Sequence, residues 1–425
     1  MSKEKQTPPY VALAMLTTIY ALSSMDRQLV AILAEPMKAD LNLSDMQLGL
    51  LSGTAFAFFY VFAGLPLSWL ADRYNRMKII GWACLTWSLM TAGTGLAHGF
   101  GHLALLRVGV GVGEAGGTAP SFSLLADFFP ESKRGRANAL FSFGTPLGVI
   151  LGTTLAGLVA AEHGWRTAFF VAGALGVLVA PLAFLLREPP RGRFNAAMAG
   201  AALPARQVLA HFQRPMLFLL TLNTGLSAFA GWVLLAWTPA FLMRLRGMTL
   251  EEVGTWYSPV IGLALAGGAL VGGAIADRYV LRDRRIYALL PAAACTLSIP
   301  MVVGALQSDS WQIALPLLGL PSLLTILYFP PSFALLQREI PAEGRTFAIA
   351  IMLIVLNMFG IGLGPLAIGA LSDALVPAYG ERSLEAALYL LVPVLAVTAV
   401  SYLLLARLIG RETVPIDLSM KPSVS

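Results

Sequence analysis

The sequence predicts an all-α membrane protein in which twelve transmembrane helices form two pseudo-symmetric six-helix bundles. Of its 425 residues, 57% are hydrophobic and 12% are charged, whereas a soluble domain has about 25% charged residues. Apolar runs of the length that a helix needs to cross a bilayer, about 20 residues, recur along the whole chain. Motifs of the first half also return, in the same order, in the second half.

Twelve apolar segments are long enough to cross a bilayer. They are expected at residues 10–34, 48–71, 79–98, 103–126, 137–160, 165–186, 215–243, 253–276, 286–306, 311–336, 346–371 and 384–409. Several contain Gly or Pro, which membrane helices tolerate because neighbouring helices satisfy the freed backbone groups. No small-residue cleavage site follows the first segment, so we expect a retained helix and not a signal peptide.

The Lys and Arg residues, 29 in all, indicate the orientation of the chain. Most of them lie in the N-terminal stretch and in every second loop, with clusters such as Arg73, Arg76 and Lys78. Because loops rich in Lys and Arg stay in the cytoplasm, both termini are expected there. We therefore expect a multi-pass protein of the cell's inner or plasma membrane.

A polar stretch rich in proline and arginine begins at Arg187 and divides the chain into two halves. We expect an N-terminal six-helix bundle at residues 1–189 and a cytoplasmic linker at 190–213. A C-terminal six-helix bundle with a cytoplasmic tail is expected at 214–425.

Three motifs occur at matching positions in the two halves. The tetrapeptide ADRY follows the second segment of each half, at Ala71–Tyr74 and Ala276–Tyr279. A Pro-x-x-x-Arg pattern follows the fourth segment of each half, and a glycine-rich pattern lies in the fifth. Pro130 and Arg134 in the first half match Pro341 and Arg345 in the second. The glycine-rich stretch Gly144–Gly152 matches Gly360–Gly369. Three matches in register indicate a duplicated six-helix unit.

Several functional classes lack support in the sequence. Residues 111–116 match G-x-G-x-x-G, but they lie inside a membrane segment and not between a strand and a helix, so no dinucleotide site is predicted. The histidines lack ligand spacing, and Cys84 and Cys295 lie inside apolar runs, so neither a metal nor another cofactor is expected. Basic residues form short clusters only, which argues against a nucleic-acid partner. No nucleophile–base motif supports an enzyme.

Four charged residues lie inside the first and fourth segments. They are Asp26, Arg27, Arg107 and Glu114. A charge at the membrane centre costs about 2.5–3.5 kcal/mol on insertion scales, and such residues face a bundle interior or a watered cavity. Arg107 and Glu114 are seven residues apart and therefore point in nearly the same direction. We expect one shared site in which Asp26 and Glu114 are a coupled pair of proton sites and Arg27 and Arg107 complete a charge network. The alternative is a static charge-paired cluster.

The second half has no charged residue well inside its segments. Its candidate cavity-lining residues are Asn223, Trp232, Trp237, Tyr328, Asn357 and Phe359. A charged first half facing an apolar second half suits an amphipathic substrate, although an apolar half also fits a mere scaffold.

Charged residues at the cytoplasmic ends of the segments are candidates for a gating network. An Asp at the C-terminal end of a helix opposes the helix dipole, so it needs a cationic partner, and a nearby arginine could latch two helices together. The alternative is that these residues only anchor the inside loops. The set comprises Asp72, Arg73, Arg76, Arg134, Asp277, Arg278 and Arg345.

These features resemble the major facilitator superfamily of transporters over nearly the whole chain. The loop signature of that family, Gly-x-x-x-Asp-Arg-x-Gly-Arg, stands here as Ser68, Asp72, Arg73, Asn75 and Arg76, so both glycines are replaced. The resemblance implies the major facilitator fold, and with it transport by alternating access between the two bundles.

Within that superfamily, two stretches are similar to the Spinster family: SSMDRQLV in the first segment and RVGVGVGEAGGTAPSFSLLADFFPESKRGRANALFSFGTPLGVILG in the fourth and fifth. Members of that family transport lysolipids and sphingolipids, and some couple to protons. The resemblance implies functional roles for Asp26, Arg107 and Glu114, and Arg27 completes the matching Asp-Arg pair.

We therefore expect a secondary transporter, proton-coupled and monomeric, that moves a sphingolipid or lysophospholipid. The alternative substrate is a small organic anion whose carboxylate binds Arg27 and Arg107. A membrane-embedded enzyme would be indicated by covalent change in a bound lipid, and a receptor by binding without net flux.

Overall fold

The computed structural model describes residues 7–194, 204–280 and 282–411. Within these residues the chain is helical and contains no strand. The twelve predicted transmembrane helices are confirmed, and we number them α1 to α12 in chain order.

The first half contains α1 to α6. Their bounds are Pro9–Ile32 for α1; Asp45–Gly49, Leu50–Thr54 and Ala55–Arg73 for α2; Arg76–Thr94 for α3; Phe100–Ala115 and Thr118–Phe128 for α4. Helix α5 starts with Glu131–Ser142 and continues into the long stretch Gly144–Phe184, which also contains α6. Gly164 separates α5 from α6 with a φ of 78°, a left-handed conformation that favours glycine. The short helix Ala34–Leu41 connects α1 to α2.

The second half contains α7 to α12. Their bounds are Pro215–Arg246 for α7; Leu250–Glu252, Val253–Tyr257 and Ser258–Tyr279 for α8; Ile286–Gln307 for α9; Trp311–Leu324 and Phe329–Glu339 for α10; Arg345–Leu356, Asn357–Leu363 and Gly364–Tyr379 for α11; Ser383–Leu388 and Leu391–Arg411 for α12. The short helix Ala205–His211 precedes α7 and buries Val208 in the core of this half.

Three of the helices contain π-helical segments, a form that the sequence does not predict. They are Leu50–Thr54 in α2, Val253–Tyr257 in α8 and Asn357–Leu363 in α11. Each contains glycine and lies where the two halves touch. Because π-helical turns leave backbone carbonyls displaced from the regular ladder, they can accept hydrogen bonds from a neighbouring helix.

Hydropathy alone does not find every span. Seven continuous helical stretches are long and apolar enough to cross a membrane, and two of these, Glu131–Phe184 and Arg345–Arg411, contain two spans each. The three remaining helices, α1, α3 and α4, carry the charged and hydroxyl groups of the ion-pair site described below.

Glycines set the distance between α1 and α5. A Cβ atom at Gly152 would lie 2.7 Å from the carbonyl oxygen of Met25 and 2.9 Å from its Cα. A larger side chain at Gly152 would therefore push α1 away from α5. Small residues allow this close backbone approach in membrane proteins, and here the approach fixes the part of α1 that carries Asp26.

The repeat predicted from the sequence is visible in three dimensions. Arg134 Nε lies 3.5 Å from the carbonyl oxygen of Phe129, and Arg345 Nε donates to that of Ile340 at 3.1 Å. Each arginine thus binds the backbone carbonyl five residues before it, just after the fourth helix of its half. The first turns of α2 and α8 also match, since Ser44 and Thr249 each begin a capping box.

Both cysteines lie inside the helical bundles. Cys84 on α3 is 0% exposed and Cys295 on α9 is 3% exposed, and both thiols are free.

The halves meet at one end of the molecule. We call the end with the connections 33–44 and 247–249 the closed face, and the opposite end, where α1 starts and α12 ends, the terminal face. Between described residues, the hydrogen bonds and ion pairs that join the halves lie in the part of the molecule nearest the closed face.

Candidate functional site

The first ion pair of the site joins α1 to α4. Arg107 Nη1 donates to Asp26 Oδ2 at 2.8 Å, and both side chains are almost fully buried. A third helix contributes a hydroxyl, since Thr91 Oγ1 on α3 lies 2.5 Å from Asp26 Oδ1. Asp26 is therefore held by one cation and one neutral donor.

The second ion pair also joins α1 to α4. Arg27 Nε donates to Glu114 Oε2 at 2.8 Å, and Ser23 Oγ donates to the same oxygen at 2.7 Å. Arg27 Nη2 also donates to Ser23 Oγ at 3.0 Å, which is one helical turn away. The four predicted charges thus lie between the same two helices, and the structure sorts them into two separate pairs.

Neither pair is completely satisfied. Among the described residues, Glu114 Oε1 and Arg107 Nε are buried without a hydrogen-bond partner. A buried ion pair is favourable only when further hydrogen bonds satisfy its remaining atoms. The Oε1 oxygen of Glu114 is therefore an atom to which a proton can be added.

Arg27 is the one member of the four that has appreciable access to the molecular surface. Its side chain is 18% exposed, whereas the other three are 3% exposed or less. The guanidinium lies 5.2 Å from the ring centroid of Phe56 and 5.6 Å from that of Tyr60, both on α2. The faces of these rings can stabilise the cation.

The six candidate cavity residues of the second half separate into two groups. Trp232 on α7 packs against the cores of both halves, and Phe359 on α11 is exposed. Asn357 is half-buried at the start of the π-helical segment of α11. These three lie where the halves meet.

The other three candidates lie in the interior. Trp237 is buried, and its indole nitrogen donates to the carbonyl oxygen of Pro365 at 3.0 Å, so it joins α7 to α11. Tyr328 is buried in the core of the second half. Asn223 is fully buried, and neither of its side-chain atoms has a hydrogen-bond partner among the described residues.

Of the predicted gating residues, Arg76 makes the most contacts. It is buried and ion-paired with Asp127 on α4 and with Glu188 after α6, each at 2.6 Å. Its guanidinium also donates to Ser123. Arg76 therefore ties three parts of the first half together at the terminal face.

The expected pairing of Asp72 with an arginine is not what the structure contains. The Asp72 side chain is exposed, and no ion pair to it forms among the described residues. Instead, Arg191 donates to the carbonyl oxygens of Ala71, Asp72 and Tyr74 at the end of α2. A cation at this end complements the helix dipole, as expected, but it contacts backbone and comes from the start of the linker.

The remaining gating candidates are near the surface. Arg73 stacks on Trp69, with 3.8 Å between the guanidinium carbon and the ring centroid. Asp277 and Arg278 are exposed at the end of α8. Arg134 and Arg345 bind backbone carbonyls within their own halves, as described above.

Sequence reasoning missed several residues that complete the site. Ser23 could have been found, because it lies four residues before Arg27 and so on the same helical face. Thr91, Phe56 and Tyr60 carry no such signal, since a lone hydroxyl or ring in an apolar helix does not reveal its partner. They were missed because their contacts depend on how α2 and α3 pack against α1.

A network of charges, also missed, joins α2 to α7 and α11 at the closed face; we call it the charged seam. Arg244 at the end of α7 donates to Glu35 and Asp45 at 2.7–2.8 Å. Lys38 Nζ lies 2.5 Å from Asp45, which is 1% exposed. On α11, Asp373 accepts from the backbone nitrogens of Asp45 and Met46.

The second contact between the halves, which we call the glycine seam, joins α5 to α8. A Cβ atom at Gly157 would lie 2.5 Å from Gly254 Cα, so the two helices touch backbone to backbone. Thr154 Oγ1 and Ser258 Oγ are 2.8 Å apart, and Ser258 donates to the carbonyl oxygen of Ile150 at 2.9 Å.

Comparison with known proteins assigns this arrangement to a family. The family model of the Major Facilitator Superfamily matches residues 16–365. The chain belongs to the major facilitator superfamily. As a member of that family it is a transporter and not an enzyme, and it is an integral, multi-pass membrane protein.

Among the relatives that cover most of the chain are a bacterial and a vertebrate protein. It is 33% identical over 407 residues to an MFS-type efflux pump of Mycolicibacterium smegmatis, covering 95% of this chain and 94% of the relative. It is 30% identical over 398 residues to Protein spinster homolog 1 of Xenopus tropicalis, covering 87% of this chain and 75% of the relative. The resemblance to Spinster proteins is thus confirmed.

A solved structure of a Spinster homologue has the same fold as this chain. A bacterial homologue of the human lysosomal transporter Spinster, in an inward-facing and unoccupied conformation, superimposes with a TM-score of 0.87. It shares 26% identity and covers 97% of this chain and 100% of that one.

Proposed function

We propose that this transporter couples proton movement to the movement of an amphipathic lipid of the sphingolipid or lysophospholipid type. The observation that carries the proposal is the pair of buried, incompletely satisfied ion pairs between α1 and α4. A static support would be expected to satisfy its buried atoms, because an unmet hydrogen bond at a buried polar group costs about 1–3 kcal/mol, and more at a charged group.

Protonation of Glu114 would change what Arg27 can bind. A neutral carboxyl attracts a guanidinium far less than a carboxylate does, so Arg27 would become available to an anionic group. Arg27 is also the member of the network that an entering substrate can reach. Proton uptake at Glu114 and anion binding at Arg27 would therefore be linked, and Asp26 with Arg107 would form a second, coupled pair.

The proposed lipid substrate is supported by the Spinster resemblance and by the contrast between the halves. An ionic head group would lie beside Arg27, and the acyl chain would lie against the apolar side chains of α7 and α11. Trp232, which packs against the cores of both halves, and the exposed Phe359 are the side chains that we propose for that contact. Transport would proceed by alternating access as a monomer.

We also propose that both termini are cytoplasmic, as the distribution of Lys and Arg predicts. The closed face would then be external, and the structure would be an inward-facing state in the cell's inner or plasma membrane. The similar solved structure supports this reading, since it is an inward-facing conformation.

A small organic anion is the second candidate substrate. It is favoured by one observation, the partial exposure of the Arg27 side chain, whose guanidinium can bind a carboxylate with or without an acyl chain. Competition between the two classes decides the matter.

The test uses the purified protein in liposomes with an imposed pH gradient. A labelled lysophospholipid and a labelled sphingoid base are compared with a panel of soluble organic acids. Lipid movement that stops when the gradient is collapsed supports the proposal. Movement of a soluble acid alone rejects the lipid and assigns Arg27 to carboxylate binding.

Substitution of the two carboxylates tests the coupling. We expect Asp26→Asn and Glu114→Gln each to reduce pH-driven transport at least about tenfold, because each removes a titratable group at the ion pairs. Glu162→Gln and Asp309→Asn make the same chemical changes at exposed positions and should transport normally. Full pH-driven transport by both Asp26→Asn and Glu114→Gln would rule out coupling at this site.

A further inference from the structure

The hydroxyl of Thr91 has two acceptors within bonding distance. Its Oγ1 atom lies 2.5 Å from Asp26 Oδ1 and 2.9 Å from the carbonyl oxygen of Trp87, one turn earlier on α3. A threonine hydroxyl has a single hydrogen, so it can donate to only one of them at a time. It can, however, accept a hydrogen bond while it donates.

These two acceptors fit the two charge states of Asp26. When Asp26 is ionised, Thr91 donates to Oδ1, because hydrogen bonds to a charged acceptor are roughly twice as strong as neutral ones. When a proton is added at Oδ1, the new O–H donates to Thr91 Oγ1, and the threonine hydrogen turns to the Trp87 carbonyl. No covalent bond of Thr91 breaks, and neither state leaves a buried polar atom of this group unpaired.

A small cavity lies beside this pair. It has a volume of about 10 Å³ and lies between α1, α3 and α6. Its lining residues are Leu22, Met25, Asp26, Trp87, Ser88, Thr91, Ala172 and Gly176. The volume is close to the minimum for one water molecule, and the Asp26 carboxyl and the two hydroxyls provide polar partners for it. A water there could deliver or remove the proton of Asp26.

The charged groups around Asp26 do not line this cavity, and they come from α1 and α4. Arg107 pairs with it from α4, and Glu114, also on α4, lies near enough to interact with it. Arg27 is adjacent on α1 and is engaged by Glu114. On the cavity side, α6 contributes the uncharged Ala172 and Gly176.

We propose that Thr91 is a positioning residue for Asp26: its hydroxyl changes partner with the charge of the carboxyl, and the adjacent cavity admits the water that exchanges the proton. The inference rests on the proposed proton coupling. It assigns to α3 and α6 a part in that coupling and gives Asp26 a site for one water molecule on the side of α6, where Arg27 is not among the lining residues.

The experiment is an infrared titration of the full-length protein in liposomes, which observes the C=O stretch of protonated carboxyl groups as pH is varied. The band that disappears in Asp26→Asn is assigned to Asp26. Thr91→Val removes the hydroxyl and keeps the shape, Thr91→Ser restores it, and Thr91→Ala is a second deletion in case the valine variant does not fold. Thr94→Val is the matched control, because Thr94 is buried on the same helix and donates only to the Met90 carbonyl.

We expect the midpoint of the Asp26 band to move to higher pH by about one unit in Thr91→Val and Thr91→Ala, since the charged form loses its donor. Thr91→Ser and Thr94→Val should titrate like the parent protein. Equal midpoints in all four variants would overturn the role of Thr91 and leave the proposed function intact. The absence of any Asp26 band would overturn the role of Thr91 together with proton uptake at Asp26, whereas coupling through Glu114 would then be judged by the transport assay alone.

Discussion

The two seams that join the halves are related by the internal repeat, yet they use different chemistry. The charged seam between α2, α7 and α11 adds ion pairs around Asp45 and Arg244 to a close backbone approach at Gly49 and Gly369. The glycine seam between α5 and α8 consists of backbone contact at Gly157 and Gly254 and a few hydroxyl bonds. The same fold position has thus been filled in two ways after duplication.

The difference teaches how each seam should respond to conditions. Salt weakens the partly exposed Arg244–Glu35 pair more than the buried Arg244–Asp45 pair, and it does not weaken van der Waals contact between backbones. Opening at the closed face should therefore begin at the charged seam when salt is raised. The glycine seam would act as the steric stop that defines how closely the halves approach.

The largest effect is expected at the glycine seam. In Gly157→Val the new side chain would overlap the backbone of Gly254 and Leu250, which cannot move aside without shifting α8. We expect spin labels placed across α5 and α8 at the closed face to move apart and transport to fall at least about tenfold. Gly101→Val on α4 is the control, because a Cβ atom there meets nothing within 4 Å. An unchanged label distance would contradict this prediction, because it would show that α8 accommodates the new side chain without moving away from α5.

A smaller effect is expected from Arg244→Gln. It leaves Glu35 and the buried Asp45 without their shared guanidinium, at a cost of about 3 kcal/mol to the closed arrangement, the lower end for a broken buried pair because Glu35 is partly exposed. Labels across α2 and α11 should show a more open population that no longer depends on salt.

The control for Arg244→Gln is Asp40→Asn on the same face. The hydrogen bond from Arg166 holds the pKa of Asp40 below its usual range, but this exposed pair lies within the first half. Its loss should leave the label distance between the halves unchanged. An equal opening in both variants would mean that surface charge in general, and not the seam, sets the distance.

The smallest effect is expected from Asp373→Asn. The carboxylate accepts from two backbone nitrogens at the start of α2, so it caps that helix from the opposite half. An amide oxygen can still accept but carries no charge, and we expect a loss of about 0.5–1 kcal/mol. Hydrogen exchange at Asp45 and Met46 should rise a few-fold. Unchanged protection there would show that the capping box at Ser44 is sufficient.

The sequence was sufficient to predict the twelve spans, the repeat and the four charges of the site, because each depends on local composition or helical period. Arg27 and Glu114 could be placed near each other, but not assigned as partners, since side-chain pairing depends on the rotation of α1 against α4. In the sequence, Arg244 is one of several basic residues next to the end of a predicted segment. Its bonds to Asp45 cross some 200 residues of chain, and nothing local signals them.

The π-helical segments were unpredictable for a related reason. Thr54 donates to the carbonyl oxygen of Gly362 within two facing segments of this kind. This bond forms only when the two halves are in contact, so the helix propensity of neither segment predicts it.

The burial of both cysteines makes this chain convenient for site-directed labelling. With Cys84 and Cys295 enclosed within their bundles, a maleimide reagent would react first with a thiol newly introduced at the surface. Paired probes could then be attached across either seam of the otherwise native protein, and the order in which the seams separate could be timed within a single molecule.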